Sequence, residues 1–543
     1  MKKLFLPLTL LLGLGANAQL FIDNATFFID NGAVVTVQGD VTSNVNIQAA
    51  GTGKLRMGGT ALQNLNMGGK DIPNLQIDNA AHVLLTGGAT RVTGLLEFTN
   101  GKIQLGDRDL VLANAATYSG QGAGKFAETN GTGVFKKEVI AAGNYILPVG
   151  SGSNYTPLEY QLTAGSYSSA FVGVQSVTGS HPNKHPRSTD YLNSYWKLSN
   201  SGITGGTKVA VGTYADPSIV GVEADLRSLY WNGTTWVKGT SEDVATNKVT
   251  APVVAATNEL YGMNKFILVS PKVFLQGAFN TTTGLMSDLL RNSGAYSVGV
   301  LPASNIIPAS DPYRTVTYST AFAHVANPVT ETISAGVLND LANVNNQIVD
   351  WIFVELRNKT GNTSAPVVQT RSVLLQRDGD LVDIDGVSPV YFKNVDATNN
   401  YVVAIRHRNH IGISSNPVSA LALGLSTSTF DFTNTANTAN IYGTAGLNYA
   451  QAGAVVKNVL YAGNANFNLN VRYNGPTNDR DYILGSILSS NQATVLSNVY
   501  NQGDVNLNRI VRYNGPSNDR DFILSAPLGS NQSTVKNQSL PTN

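Results

Sequence analysis

Between residues 19 and 140, turn-forming residues recur so often that only very short strands are expected between them. The apolar runs are brief: Val34-Val35-Thr36-Val37, Asn74-Leu75-Gln76-Ile77, His82-Val83-Leu84-Leu85, Leu95-Leu96-Glu97-Phe98, Lys102-Ile103-Gln104-Leu105 and Leu110-Val111-Leu112. Asn31-Gly32, Gly68-Gly69, Gly87-Gly88, Asn100-Gly101 and Gly106-Asp107 separate them. β-Branched and apolar residues favour strands, and Gly, Asn and Asp favour tight turns. Strands this short bury too little on their own and must stack on neighbouring copies, as the rungs of a β-solenoid do. A meandering β-sandwich is the alternative. The solenoid is preferred because no helical period interrupts the pattern.

Lys2 and Lys3, the apolar run from Leu4 to Leu14, and Ala16-Asn17-Ala18 follow the order of a secretory signal peptide cut after Ala18. The run is too short for a bilayer, which needs roughly 20 residues. The mature chain is therefore expected outside the cell, secreted or at the surface. Cysteine is absent, which excludes a lipoprotein anchor, disulfides, zinc ribbons and thiol nucleophiles. The 543 residues exceed one ordinary core. Net charge is +1 and only 13% of residues are charged, against about 25% in ordinary domains. Such a balance gives no long-range attraction for nucleic acid or anionic lipid.

Further along, the pattern stays mostly β but changes character. Residues 141–271 hold Tyr145 to Gly150, a strand closing on a turn, and the aromatic strands Tyr195-Trp196-Lys197-Leu198, Tyr230-Trp231 and Trp236-Val237-Lys238. Asn232-Gly233 between two tryptophans is a hairpin signal. These aromatics are expected as core and cross-strand partners, with a sugar-stacking platform as the other reading. Phe266 to Val269 is expected to close this region. Residues 272–435 offer a strand at Val273 to Phe279, a helical turn at Met286 to Arg291, and strands around Val349 to Arg357, Val373 to Arg377, Val390 to Phe392 and Tyr401 to Ile405. Each of these two regions is expected to be a β-sandwich.

At the C-terminus the chain repeats itself. Residues 463–484 read GNANFNLNVRYNGPTNDRDYIL and residues 503–524 read GDVNLNRIVRYNGPSNDRDFIL. Residues 440–543 are therefore one duplicated module. In the second copy Asp504, Asn506 and Asn508 alternate as oxygen ligands do in a helix–loop–helix calcium site, and Ile510 falls where a backbone carbonyl serves. Asn518 and Asp521, with Asp519 between them, complete the set. The equivalents in the first copy are Asn464, Asn466, Asn468, Asn478, Asp479 and Asp481. All these side chains offer oxygen, which suits Ca2+. The second copy has more carboxylates and is expected to bind more tightly. The other reading is a pair of Asn-Gly-Pro turns stiffened by Asp–Arg contacts, without metal.

Two resemblances follow from these residues. Val273 to Phe279, Met286 to Arg291, Asp350 to Arg357, Gln376 to Asp380 and Arg406 to His410 resemble a module of large secreted Bacteroidetes proteins described as hemagglutinin-like, and the likeness extends over about residues 272–540. The repeat resembles a dockerin-type calcium loop. It departs from that pattern in the inserted segment Arg512 to Ser517, and in Arg509 and Leu469 standing where the loop's glycine is usual. The resemblance implies an adhesive surface protein and says little about activity.

Other clusters carry less. Arg406 to His410, taken as one strand, would send His407 and His410 to opposite faces. An ion-pair set with Asp350 or Glu355 is the expectation there. Asp378-Gly379-Asp380 with Asp383 and Asp385-Gly386 reads as two turns. No nucleophile elbow, paired-histidine zinc motif or phosphate loop is present. The sequence therefore points to a non-catalytic exported protein with an adhesive, binding or structural role, whose partner is an extracellular glycan or another surface protein. A carbohydrate-binding protein supporting polysaccharide breakdown is the alternative, and a hydrolase with an unread site stands behind it.

Overall fold

The computed structural model describes residues 19–292, 304–339, 343–396, 398–446 and 449–543. The segment read as a signal peptide, 1–18, lies outside the described residues. The chain is mostly β, with 44% strand and 8% helix. It divides into two compact units, one ending at Lys265 and the other starting at Phe266. No helix among the described residues is long and apolar enough to cross a membrane.

The first unit begins as stacked coils, as the turn-rich sequence requires. One parallel ladder joins Leu20–Ile22, Val41–Ser43, Gln63–Asn66, Val83–Thr86, Ile103–Gln104 and Ala127–Glu128, each to the next coil. A second joins Val34–Val37, Lys54–Met57, Asp71–Asp78, Thr90–Asn100 and Leu110–Leu112. Side chains alternate along each short strand, so Val41, Leu65, Ile103, Leu55, Leu75 and Leu96 fill the space between ladders and are buried. The coil interior is not wholly apolar. Gln63 and Asn79 are buried, and their amides bond backbone carbonyls of neighbouring turns, including Asn79 Nδ2 to Ala61 O at 2.7 Å. That satisfies groups a tight turn would otherwise orphan.

The coils do not end in a break near residue 140. Phe135–Val139 pairs in parallel with Leu110–Leu112 on one side and antiparallel with Ser166–Thr178 on the other. The same sheet then continues antiparallel through Ser194–Thr204, Thr257–Asn264 and Leu226–Trp231. A second sheet of five strands, Gly143–Leu147 to Ser241–Asp243, accompanies it. Trp196, fully buried, leans on Gly212 of that second sheet, where an added Cβ would come within 2.8 Å of the indole.

In the second unit Ile348–Asn358 pairs with Val367–Gln376 and Thr398–His407. Every residue of Ile348–Asn358 but the last is buried, so this strand is covered on both faces. Phe266–Lys272, expected to close the preceding region, belongs here: it pairs with Val390–Lys393 and Ser428–Asp431. The expected helical turn starts at Asp288, with Arg291 N donating to Asp288 O at 2.9 Å, while Met286 bridges back to Phe279. Gly379 and Gly386 take left-handed φ values of 92° and 77° and close two turns, as their sequence suggested.

The C-terminal copies interlock. Asn470–Arg472 of the first pairs with Val535–Asn537, beyond the second copy. Ile510–Arg512 of the second pairs with Val495–Ser497, in the linker after the first. One shared core holds Val471, Ile483 and Leu488 with Val505, Val511, Ile523 and Leu528.

Candidate functional site

The predicted calcium residues separate into two groups in each copy. One group is internal. Asp479 and Asp519 are fully buried. Each accepts two backbone amides: from Ala465 and Arg472 at 2.9 and 3.0 Å, and from Val505 and Arg512 at 3.0 and 2.9 Å. Asp504 is also buried and accepts the amides of Asn508 and Arg509, both at 2.8 Å. Arg509 and Leu469, where glycine was missed in the sequence, adopt left-handed φ of 74° and 66°. The loop therefore keeps its turn at these positions without glycine, which is a strained choice for a side-chain-bearing residue. In Arg509 the guanidinium holds the carbonyls of Leu289, at 3.0 Å, and Ser304.

The other group forms a rim. Asn506 and Asn508 both donate to Ser517 O, at 3.0 and 3.2 Å, and Asn466 and Asn468 both donate to Thr477 O, at 2.7 and 2.8 Å. Asn478 and Asn518 cap the short helices Asp479–Tyr482 and Asp519–Ser525, accepting from the amides of Asp481 and Asp521 at 2.8 Å. These caps satisfy amides that a helix start leaves open. Asp481 and Asp521 pair with Arg480 and Arg520 at 2.9 Å. Asn466, Asn468, Asn478 and Asp481 line one open concavity of about 480 Å³, and Asn506, Asn508, Asn518 and Asp521 line another of about 470 Å³. Ile510 stands in a strand, its amide donating to Asn508 Oδ1 at 2.9 Å. Asn464 Oδ1 is buried without a hydrogen-bond partner.

Electrostatics follow burial. Desolvation pushes the Asp504 carboxyl up to about 6 and Asp479 up to about 8. Asp519 is raised well above the usual carboxylate range, first by burial and then by the charge of Asp504. No salt bridge reaches these three carboxylates among the described residues. No group of three or more His, Cys, Asp or Glu side chains is placed to hold a metal among the described residues.

The stretch Arg406 to His410 differs from its reading as one strand. Thr398–His407 ends there, Arg408-Asn409 form a two-residue turn, and His410–Ser414 returns, so His407 and His410 are cross-strand partners with Nδ1 atoms 3.1 Å apart. The amide of Gly277 donates to His410 Nε2 at 3.1 Å. That places the His410 proton on Nδ1 and leaves His407 Nε2–H for Asp350, at 2.9 Å. Burial holds both imidazoles below their ordinary range. The ion pairs with Asp350 and Glu355 are present: Arg408 reaches Asp350 at 3.1 Å and Arg406 reaches Glu355 at 3.0 Å. Tyr500 OH donates to Asp350 at 2.6 Å. The turn also clips the repeat. Asn409 Nδ2 donates to Asp504 O at 2.6 Å, and Asn409 O accepts the amides of Gly463 and Asn464. One side chain and its own carbonyl thus hold the same position of both copies.

Comparison with family models, with curated proteins and with solved structures finds no match to this chain.

A third concavity, of about 500 Å³, lies in the first unit. Register assembles a row across five strands: Gln175 opposite Lys197, Lys197 opposite Glu259, Glu259 opposite Trp231, and Trp231 opposite Trp236. Side chains directly opposite share a face. Trp236 is core, as expected of these aromatics, and its indole N–H donates to Asn183 O at 2.8 Å. Trp231 is only half-buried and lines the concavity with Tyr195, Lys197 and Glu259. His181, buried, sits 4.7 Å from the Trp236 ring and bonds Glu259 Oε2.

Proposed function

We propose that the chain is a non-catalytic exported protein with an adhesive, binding or structural role at the cell exterior, and that calcium stabilises its C-terminal repeats. One observation carries this reading: Asp504 and Asp519 lie buried within one loop and receive only backbone amides. Buried carboxylates are ordinarily paired with a cation or bound to one. Arg408, whose charge does reach Asp504, is bonded to Asp350. The remaining lone pairs of the loop are all oxygen, the donor type that suits Ca2+. In the second copy the buried Asp504 and Asp519 would hold the ion, with the rim residues Asn506, Asn508, Asn518 and Asp521 and the Ile510 carbonyl closing on it, and Asn464, Asp479, Asn466, Asn468, Asn478 and Asp481 are the weaker equivalents; the two groups stand apart in the structure, so binding would have to draw them together. The dockerin-like likeness of the repeats, the sandwich reading of the two middle regions and the hemagglutinin-like resemblance all belong to this proposal.

A binding role also agrees with the polar knot around Asp350. Its imidazoles, guanidinium and carboxylate are buried and mutually bonded, which suits bracing better than turnover. The test is calcium titration by calorimetry on the mature chain, with thermal melting in calcium and in chelator. A ligand bound by the folded state alone raises its stability. Heat of binding with an upward shift of the melt is the expected result. The absence of both would reduce the repeats to turns braced by their own amides. A second reading, a carbohydrate-binding protein serving polysaccharide breakdown, is favoured by the half-buried Trp231 in its concavity.

A further inference from the structure

We propose that the concavity built by Trp231, Lys197 and Glu259 is a binding site for a neutral saccharide. The inference rests on the reading of this chain as a non-catalytic binding protein and gives that reading a ligand class.

The site has the two surfaces a sugar ring needs. A pyranose presents an apolar face of C–H groups and an equator of hydroxyls that both donate and accept. Trp231 supplies the first surface. Its indole is held from behind by Trp236, with ring centroids 5.4 Å apart at 62°, and by His181 at 6.2 Å. Part of Trp231 stays accessible in the concavity, and a ring already fixed by its neighbours loses little entropy on stacking. Lys197 and Glu259 supply the second. Lys197 is exposed, and no hydrogen bond or salt bridge of its ammonium is seen among the described residues; it approaches only the Tyr195 ring, at 6.0 Å. Glu259 gives one oxygen, Oε2, to His181 and leaves Oε1 as an acceptor. That contact and the charge of Lys197 hold the Glu259 carboxyl below the usual carboxylate range, so it accepts rather than donates. Lys197 and Glu259 are directly opposite on adjacent strands, so the donor and the acceptor share one face of the sheet.

One further group points to a polar occupant. Ser199, on the same face of its strand as Lys197, lines the concavity, and its Oγ has no hydrogen-bond partner. A hydroxyl without a partner is uncommon and costly, and it marks a place where a ligand's oxygen is gained at little desolvation penalty. The size, about 500 Å³, falls within the range of small-molecule sites, roughly 300–1,000 Å³. Charge selects among polar ligands. Lys197 and Glu259 balance, so an anionic sugar or phosphate that gained the ammonium would also meet the carboxylate. An extended peptide is recognised chiefly through an open strand edge, whereas this concavity lies on a sheet face between paired strands.

The test is affinity electrophoresis of the full mature chain through gels containing, in turn, mixed-linkage β-glucan, xyloglucan, galactomannan and xylan, with carboxymethylcellulose and heparin as anionic gels. Retardation by at least one neutral polysaccharide is expected. Trp231→Ala should abolish it. Lys197→Met, at an exposed position that leaves the fold intact, should weaken it at least fivefold, with an unchanged melting curve. The proposal is overturned if no neutral polysaccharide retards the chain, if only the anionic gels do, or if retardation survives both substitutions. Reducing ends are assayed in the same mixtures. Their release would overturn the non-catalytic reading while leaving the saccharide site standing, and binding without release supports both.

Discussion

The two C-terminal copies share most of their internal bonds and differ in hydrogen bonding at one buried polar position, Asn464 against Asp504. Asp479 and Asp519 each hold two amides, Asn478 and Asn518 cap in the same way, and the rim asparagines clamp equivalent carbonyls. Yet Asp504 accepts two amides where its counterpart Asn464 has a buried carbonyl oxygen with no partner. Both copies are tied to Asn409, and the second is tied further through Arg509 and through Gly277, where an added Cβ would stand 2.3 Å from Val505 O. The difference teaches that nearly identical loop chemistry can be anchored to different degrees, while both copies complete one core that neither buries alone.

The largest effects should come from the buried carboxylates. Asp519→Ala would leave two amides unsatisfied in a dry core, at about 1–3 kcal/mol each. Urea unfolding should show a loss of about 3 kcal/mol or more, with a similar loss for Asp479→Ala. Asp504→Ala and Asn464→Ala then break the symmetry. The first removes the acceptor of two amides and should cost about 2–4 kcal/mol, whereas the second removes an oxygen that bonds nothing and should cost under about 1 kcal/mol. Equal losses at positions 464 and 504 would refute the distinction between copies. In calcium titrations Asp504→Ala should remove the tighter binding event, and Asn464→Asp should strengthen the weaker one.

How much of this was open to a reader of the sequence follows from range. The coils were legible because alternation and turn residues act within one strand and its turn, and the repeat was legible as identity. The ion pairs of Arg406 and Arg408 with Glu355 and Asp350 could be anticipated because few carboxylates stood opposite so many cations. The pairing of His407 with His410 could not, because Arg408-Asn409 makes a two-residue turn without the glycine that usually announces one. The missing loop glycine misled in the other direction, since Arg509 and Leu469 adopt the left-handed backbone anyway. The aromatic strands around Asn232-Gly233 left a sugar-stacking platform as one reading, but the residues that join Trp231 were beyond reach, because Gln175, Lys197, Glu259 and Trp231 meet only through strand register.

Acidity separates the copies from the knot that clips them. In chelator, Asp479 and Asp504 have folded pKa values near 8 and 6, above the roughly 3.9 of an unfolded aspartate. The folded state therefore holds more protons than the unfolded chain between about pH 4 and 8, and stability falls as pH rises through that window. His407 and His410 act oppositely. Their folded values are lowered, so their contribution is present above the unfolded value near 6.5 and lost as pH falls. Above about pH 6.5 the imidazole contribution levels off as the unfolded histidines lose their last protons, and the carboxylates dominate the change up to about pH 8. The urea midpoint of the chelated protein should decline across that interval, Asp479→Asn should flatten the decline, and saturating calcium should abolish it. A rising midpoint would refute the assignment.

The smallest effects should be those the two copies share. Asn478→Ala and Asn518→Ala each remove a helix cap and should cost about 1 kcal/mol, alike in both copies. Smaller still is the outer pair. Arg480 lies over the Tyr473 ring at 4.7 Å and Arg520 over Tyr513 at 4.9 Å, each bonded to an aspartate whose side chain is about half exposed. Water screens such pairs, so Arg480→Ala and Arg520→Ala should each cost under about 1 kcal/mol. Their value lies in the comparison. If the copies differ only at the buried position, the two arginine variants must match within error while Asp504→Ala and Asn464→Ala do not. A large gap between Arg480→Ala and Arg520→Ala would place the asymmetry on the rim, and the buried carboxylate would no longer explain it.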